Sequence, residues 1–113
     1  ALSRNVAAKH AMEMLLTGEM IDAQQALAFG LVNRVVAQDD VANATQELAA
    51  TIASKSPLTL AVGKEAFYRQ LEMPLDDAYI YASKVMTENM LARDAEEGID
   101  AFLEKREPVW KGE

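Results

Sequence analysis

Apolar residues recur at three- and four-residue intervals along most of the chain, and the runs break at glycine, at Ser-Pro and at proline. Over Asn5 to Thr17, the residues Val6, Ala7, Ala11, Met14 and Leu15 fall at helical spacing and Gly18 ends the run, which predicts a helix over 5–17. Asp22 offers an acceptor to the first turn of a short alanine-rich helix, 22–29, and Gly30 stands where a left-handed residue closes a helix most easily. The next stretch, LVNRVV, is short and rich in β-branched residues, so it predicts a strand over 31–36. That strand has no second strand in the pattern to pair with, and an isolated strand is not stable.

Asp39 or Asp40 opens a helix over 40–55. Ser56-Pro57 ends it and starts another over 57–71, because proline is tolerated in the first helical turn and not inside. Pro74 repeats the punctuation ahead of a helix over 75–91. Its stripe of Leu75, Ala78, Tyr79, Ala82, Val85, Met86 and Met90 leaves Ile80 and Tyr81 outside, so burial on more than one side is expected. A last helix, 94–105, closes the pattern before Pro108. The fold class is all-α, five to six helices with one short strand, and there is no repeat or linker.

Composition narrows what such a domain can do. Half of the 113 residues are apolar, but much of that half is alanine, and three Phe, three Tyr and one Trp are the only aromatic side chains available to fill volume. The core should be helical and closely packed. A net charge of −7 repels phosphates and anionic lipid, which speaks against a nucleic-acid or membrane partner, and no apolar run reaches the ~18 residues of a membrane span. Without cysteine, and with His10 as the single histidine, no metal site is expected, and a cytoplasmic protein is the default. The chain starts at Ala1 rather than Met.

Chemistry is sparse. There is no glycine-rich phosphate loop, no metalloprotease or EF-hand spacing and no Ser, His and Asp set; His10 reads as a helix-surface or partly packed residue. Glu96 and Glu97, after Asp94, have the look of paired carboxylates but read better as first-turn acids favoured by the helix dipole. The methionines read as core filler, and Tyr79 and Tyr81 point to different helix faces. The ending, AFLEKREPVWKGE, brackets the only tryptophan with Lys105, Arg106 and Lys111. Taken alone, the residues describe an acidic helical module with no self-contained active site.

The stretch AMEMLLTGEMIDAQQALAFGLVNRVV, residues 11 to 36, resembles the segment that follows the catalytic core of the crotonase superfamily, the enoyl-CoA hydratases and isomerases. SPLTLAVGKEAFYRQ at 56–70 resembles the next helix of that family, and EEGIDAFLEKREPVWKG at 96–112 resembles its C-terminal signature. The resemblance covers essentially the whole chain but only the C-terminal part of a family member. It implies that residues 1–113 are a helical trimerisation and lid region, that the ββα spiral with the oxyanion hole and catalytic carboxylates lies before residue 1, and that the strand pairs with that sheet. No catalytic residue is then expected in this chain, and the 113 residues alone should be inactive.

By the same resemblance, Phe102 falls beside the acyl or CoA pocket and Met86 at a second pocket-lining position that is often aromatic. Lys105 falls where a lysine approaches the CoA nucleotide. The implied protein is an enoyl-CoA hydratase of fatty acid β-oxidation, with a CoA thioester as substrate, no resident cofactor, and a homo-oligomeric state of trimer or hexamer. Its alternatives are a non-catalytic helical oligomerisation module and another reaction of the family, an isomerisation or a thioester hydrolysis. A missing N-terminus would leave a mitochondrial location open beside the cytoplasmic one.

Overall fold

Residues 2–113 are described by a computed structural model, in which the chain divides into two units, Ala1–Gln46 and Glu47–Glu113. In the first unit, α1 (Leu2–Asn5) and α2 (Ala8–Thr17) replace the single helix expected over 5–17. Ala7 is extended, with ψ near 137°, and the break leaves Val6 among the most buried side chains of the chain. Gly18 closes α2 in the left-handed conformation, its N–H donating to Met14 O at 3.1 Å.

α3 (Ala23–Ala28) begins with a reciprocal cap. The Gln25 N–H donates to Asp22 Oδ1 at 2.7 Å, and the Asp22 N–H donates to Gln25 Oε1 at 3.1 Å. His10 stacks on Phe29, ring centroids 4.0 Å apart and planes within 10°. This is a packed histidine, in line with the reading of its sequence context.

The strand expected over 31–36 is not formed; among the described residues there is no strand at all. The physical reason is the one that made it suspect, that no second strand offers a ladder. The Leu31 and Val32 N–H groups instead donate to Ala26 O, at 2.9 and 3.4 Å, which extends the closure of α3. A 3₁₀ turn, Gln38–Asp40, then leads into α4 (Val41–Ala53), which passes from the first unit into the second.

The second unit holds α5 (Pro57–Gln70), α6 (Leu75–Met90) and α7 (Arg93–Glu104). Pro57 occupies the first position of α5, and Ser56 caps it by accepting the Thr59 N–H at 3.2 Å. α5 packs on α6, and α6 touches α7. The residues buried in this unit are small or polar: Ser56, Ala78, Asp94 and Ala101. Leu75, Tyr79, Ile80, Met86, Leu91, Phe102 and Leu103 are exposed. The excess apolar surface of α6, expected to be covered on more than one side, is therefore uncovered within this chain.

Candidate functional site

α7 carries the signature that bears the resemblance, and its termini are handled in opposite ways. At the first turn, Ala92 supplies no side-chain cap, and Asp94 turns away from its own helix. Its carboxylate, 2% exposed, accepts from Ser56 Oγ at 2.5 Å, from the Lys111 N–H at 2.8 Å and from the Gly112 N–H at 3.0 and 3.2 Å. The Asp94 N–H in turn donates to Glu113 O at 2.8 Å. These donors, Ser56 first, hold the Asp94 carboxyl below its usual range. Gly112 has φ near +79°, a conformation that lets successive N–H groups converge on one carboxylate.

At the last turn, the Lys105 N–H donates to Phe102 O at 3.3 Å and the Arg106 N–H to Ala101 O at 3.0 Å. These are the two bonds of a Schellman motif, and Lys105 occupies its left-handed position with φ near 57°. It is the only non-glycine residue with positive φ among the described residues.

From that turn the chain runs back along α7. Glu97 grips Arg106 with both oxygens, at 2.6 and 3.0 Å, and accepts the Val109 N–H at 2.7 Å. Arg106 Nε also donates to Glu104 at 2.5 Å. The guanidinium and the Val109 amide pull the Glu97 carboxyl from its usual 4.5 to about 2, while the two carboxylates raise the Arg106 guanidinium further above its ordinary value. Trp110 then lies on Gly98, and its indole N–H donates to Ser54 O at 2.7 Å.

The site residues suggested by resemblance fall in two places. Phe102 and Lys105 share the last turn of α7, both exposed, Phe102 to 81%. Lys105 joins no ion pair among the described residues, although Arg106 beside it is doubly paired. Met86 lies elsewhere, in a groove of about 240 Å³ between α5 and α6 whose lining includes Val62, Gly63, Ala66, Val85 and Asn89. Neither Phe102 nor Lys105 lines it. The groove is almost wholly apolar and would take an alkyl chain or an apolar side chain, not a phosphate. A second groove under the tail, lined by Asp94, Glu96, Glu97 and Asp100 beside Arg93 and Lys111, has the wrong charge balance for a phosphorylated ligand.

No group of histidine and carboxylate side chains suited to a metal ion occurs among the described residues. Glu96 and Glu97 are not a paired acid and base, since Glu97 is committed to Arg106 and Val109. The Asp94 clasp escaped sequence reasoning because its partners are 17 to 38 residues away. The one legible signal was the run of glycine, tryptophan and basic residues after Pro108.

A family model described as enoyl-CoA hydratase/isomerase matches residues 1–113. Among curated proteins, the chain is 47% identical over 113 residues to human enoyl-CoA hydratase domain-containing protein 3, mitochondrial, covering 100% of this chain and 37% of that protein. It is 43% identical over 104 residues to carnitinyl-CoA dehydratase of Citrobacter koseri, covering 88% of this chain and 40% of that protein. Among solved structures it resembles an enoyl-CoA hydratase of Mycobacterium smegmatis, with a TM-score of 0.92 at 46% identity, over 96% of this chain and 42% of that one. The structure of the human domain-containing protein 3 gives 0.93 at 47%, over 96% and 43%. The chain thus spans less than half the length of each of these relatives.

Proposed function

The chain belongs to the enoyl-CoA hydratase/isomerase family, and we propose that it is the C-terminal helical region of an enoyl-CoA hydratase that adds water across a 2-trans-enoyl-CoA. In that reaction hydroxyl is delivered to the β-carbon and a proton to the α-carbon, while negative charge develops on the thioester oxygen. Fixed N–H donors stabilise such charge by several kcal/mol. On this reading those donors, and the acid and base, come from sequence outside these 113 residues. The chain contributes two other things: apolar helix faces that pack on the rest of the protein and on neighbouring subunits, and the turn carrying Phe102 and Lys105, which borders the acyl-CoA. No resident cofactor is invoked.

The observation that carries this reading is the inverted burial. The buried apolar residues are Val6 and four alanines, while Leu75, Tyr79, Ile80, Leu91 and Phe102 are exposed. A helical region built this way needs a larger partner surface. The similarity to carnitinyl-CoA dehydratase favours a second reading within the same chemistry, the elimination of water from a 3-hydroxyacyl-CoA. Hydration and dehydration are one reaction read in two directions, so the two readings share their chemistry and differ in the acyl group carried by the substrate.

The test is an assay of the full-length protein carrying this chain, following loss of the conjugated enoyl absorbance of crotonyl-CoA. Turnover by the full-length protein and none by the 113 residues alone is the expected result. Activity of the short chain would overturn the division of labour, and a full-length protein that binds CoA esters without hydrating them would move the assignment to another reaction of the family. The cytoplasmic location suggested by composition is likewise a proposal, to be checked by fractionation, since the relatives include mitochondrial proteins.

A further inference from the structure

Lys105 has two properties that do not usually go together. It occupies a left-handed position, which disfavours a lysine relative to glycine, and its side chain forms no ion pair among the described residues. Nothing the lysine does inside the chain explains why the residue there is not glycine. The surrounding turn, by contrast, is tied down strongly. The chain reverses at Lys105 and returns along α7, with Arg106 and Val109 on Glu97, Trp110 on Gly98, and Lys111 and Gly112 on Asp94. Glu97 takes the first hold after the reversal.

We propose that Glu97 is a positioning residue that, by gripping Arg106 and the Val109 amide, holds the reversal so that Lys105 stands at its apex with its ammonium presented outward. This rests on the reading that Lys105 meets the phosphate-bearing nucleotide end of a CoA ester. Glu97 touches no ligand itself. The two-pronged Glu97–Arg106 contact is what makes the role specific. A single flexible contact would let the turn fray, whereas the fork fixes both the distance and the plane of the guanidinium one residue from the lysine. The strongly lowered Glu97 carboxyl agrees with a grip that persists at neutral pH.

The test uses the full-length protein, coenzyme A as the probe in titration calorimetry, and a pantetheine ester, which lacks the nucleotide, as the comparison ligand. Glu97→Gln should raise the Kd for coenzyme A by about three- to tenfold, because the competent turn is then populated only part of the time. It should leave kinetics with the pantetheine ester nearly unchanged. Arg106→Gln, which opens the same grip from the other side, should reproduce the effect and serves if Glu97→Gln folds poorly. Lys105→Gly should raise the Tm and raise the Kd together, and adding Glu97→Gln to Lys105→Gly should weaken coenzyme A binding no further.

If Lys105→Gly leaves the Kd unchanged, the nucleotide reading of Lys105 is wrong. If Lys105→Gly weakens binding while Glu97→Gln and Arg106→Gln only lower the Tm, the nucleotide reading stands and the positioning role is overturned. An equal loss from Glu97→Gln in the Lys105→Gly background would also overturn it, since the carboxylate would then be acting by a route other than the lysine.

Discussion

Ser56 Oγ donates to Asp94 Oδ2 at 2.5 Å, joining two buried residues 38 positions apart. The same Ser56 oxygen accepts the Thr59 N–H, and the same carboxylate receives the amides of Lys111 and Gly112. One pair thus fixes the start of α5, the start of α7 and the last residues of the chain. Ser56→Ala should lower stability by about 1 kcal/mol from the missing cap alone. It should also free the tail, seen as a change in Trp110 fluorescence. Asp94→Asn should preserve much of the geometry while removing the charge.

The clasp should loosen in acid. The Asp94 carboxyl is held below its usual range by its Ser56 and backbone donors, and the Glu97 carboxyl is pulled from 4.5 to about 2 by Arg106 and the Val109 amide. A lowered carboxyl contributes stability that is present above its unfolded value and lost as pH falls through its folded value. Trp110 fluorescence should therefore be flat above about pH 5 and change progressively below it, toward pH 2. Asp94→Asn should shrink that change. A tail signal that titrates between pH 6 and 8 would show that some other group governs it.

A Cβ placed on Gly98 would stand 3.3 Å from the Trp110 ring, while the ring is held by its N–H to Ser54 O. Gly98→Ala combines a helix-propensity gain of up to ~1 kcal/mol with displacement of the indole, so its net effect on Tm should be small. Gly98→Leu adds volume that the held ring cannot accommodate and should destabilise by about 1–3 kcal/mol. Trp110→Phe keeps the cover and drops the donor, at a cost of about 0.5–1.5 kcal/mol. Thermal melts of the three variants separate these terms; a Gly98→Leu protein as stable as the parent would mean that the tryptophan is free to move.

Local signals were legible in the sequence and distant ones were not. Gly18, Asp22, Gly30, Ser56 and Pro57 all act where their types predict, because caps and breakers work through backbone bonds a few residues away. The interruption at Ala7 was not legible, since Val6 and Ala7 fit the helical stripe and only burial of Val6 distinguishes the bent form. LVNRVV has the β-branched residues of a strand, but a strand is a property of a pair, and the composition of one segment cannot supply the other. Among candidate site residues, Phe102 and Lys105 are three apart on one helix and could be placed together from sequence. Met86 could be related to them only through resemblance, and within this chain it lines a different groove.

The exposed side chains of α6 and α7 should make the isolated 113-residue chain associate. Leu75, Tyr79, Ile80, Met86, Phe102 and Leu103 are each more than 60% exposed, and apolar area on this scale is rarely left uncovered in a stable monomer. Light scattering should give a mass above 12.4 kDa, or a hydrophobic dye should bind strongly. Charge substitutions such as Ile80→Lys should reduce both. A sharp monomer peak with no dye binding would count against the idea that these faces are made to be covered.

Lys105 and Phe102 should separate by their response to salt. If Lys105 meets phosphate as proposed, Lys105→Ala in the full-length protein should remove a charge-assisted contact of about 1–2 kcal/mol, which corresponds to roughly a five- to thirtyfold rise in KM. Because that contact is exposed, ions screen it, and the gap between parent and variant should narrow as ionic strength rises. On the same reading Phe102→Ala should act through apolar contact instead, so its effect on KM should change little with salt. On the proposed reading neither residue takes part in bond making, so kcat at saturation should stay close to that of the parent in both variants. Steady-state kinetics at low and high salt reads all four quantities. Salt-insensitive loss in Lys105→Ala would assign the lysine to packing rather than to phosphate. If both variants kept the parent KM, the turn at the end of α7 would be a helix terminus with a covering tryptophan and no part of the ligand site.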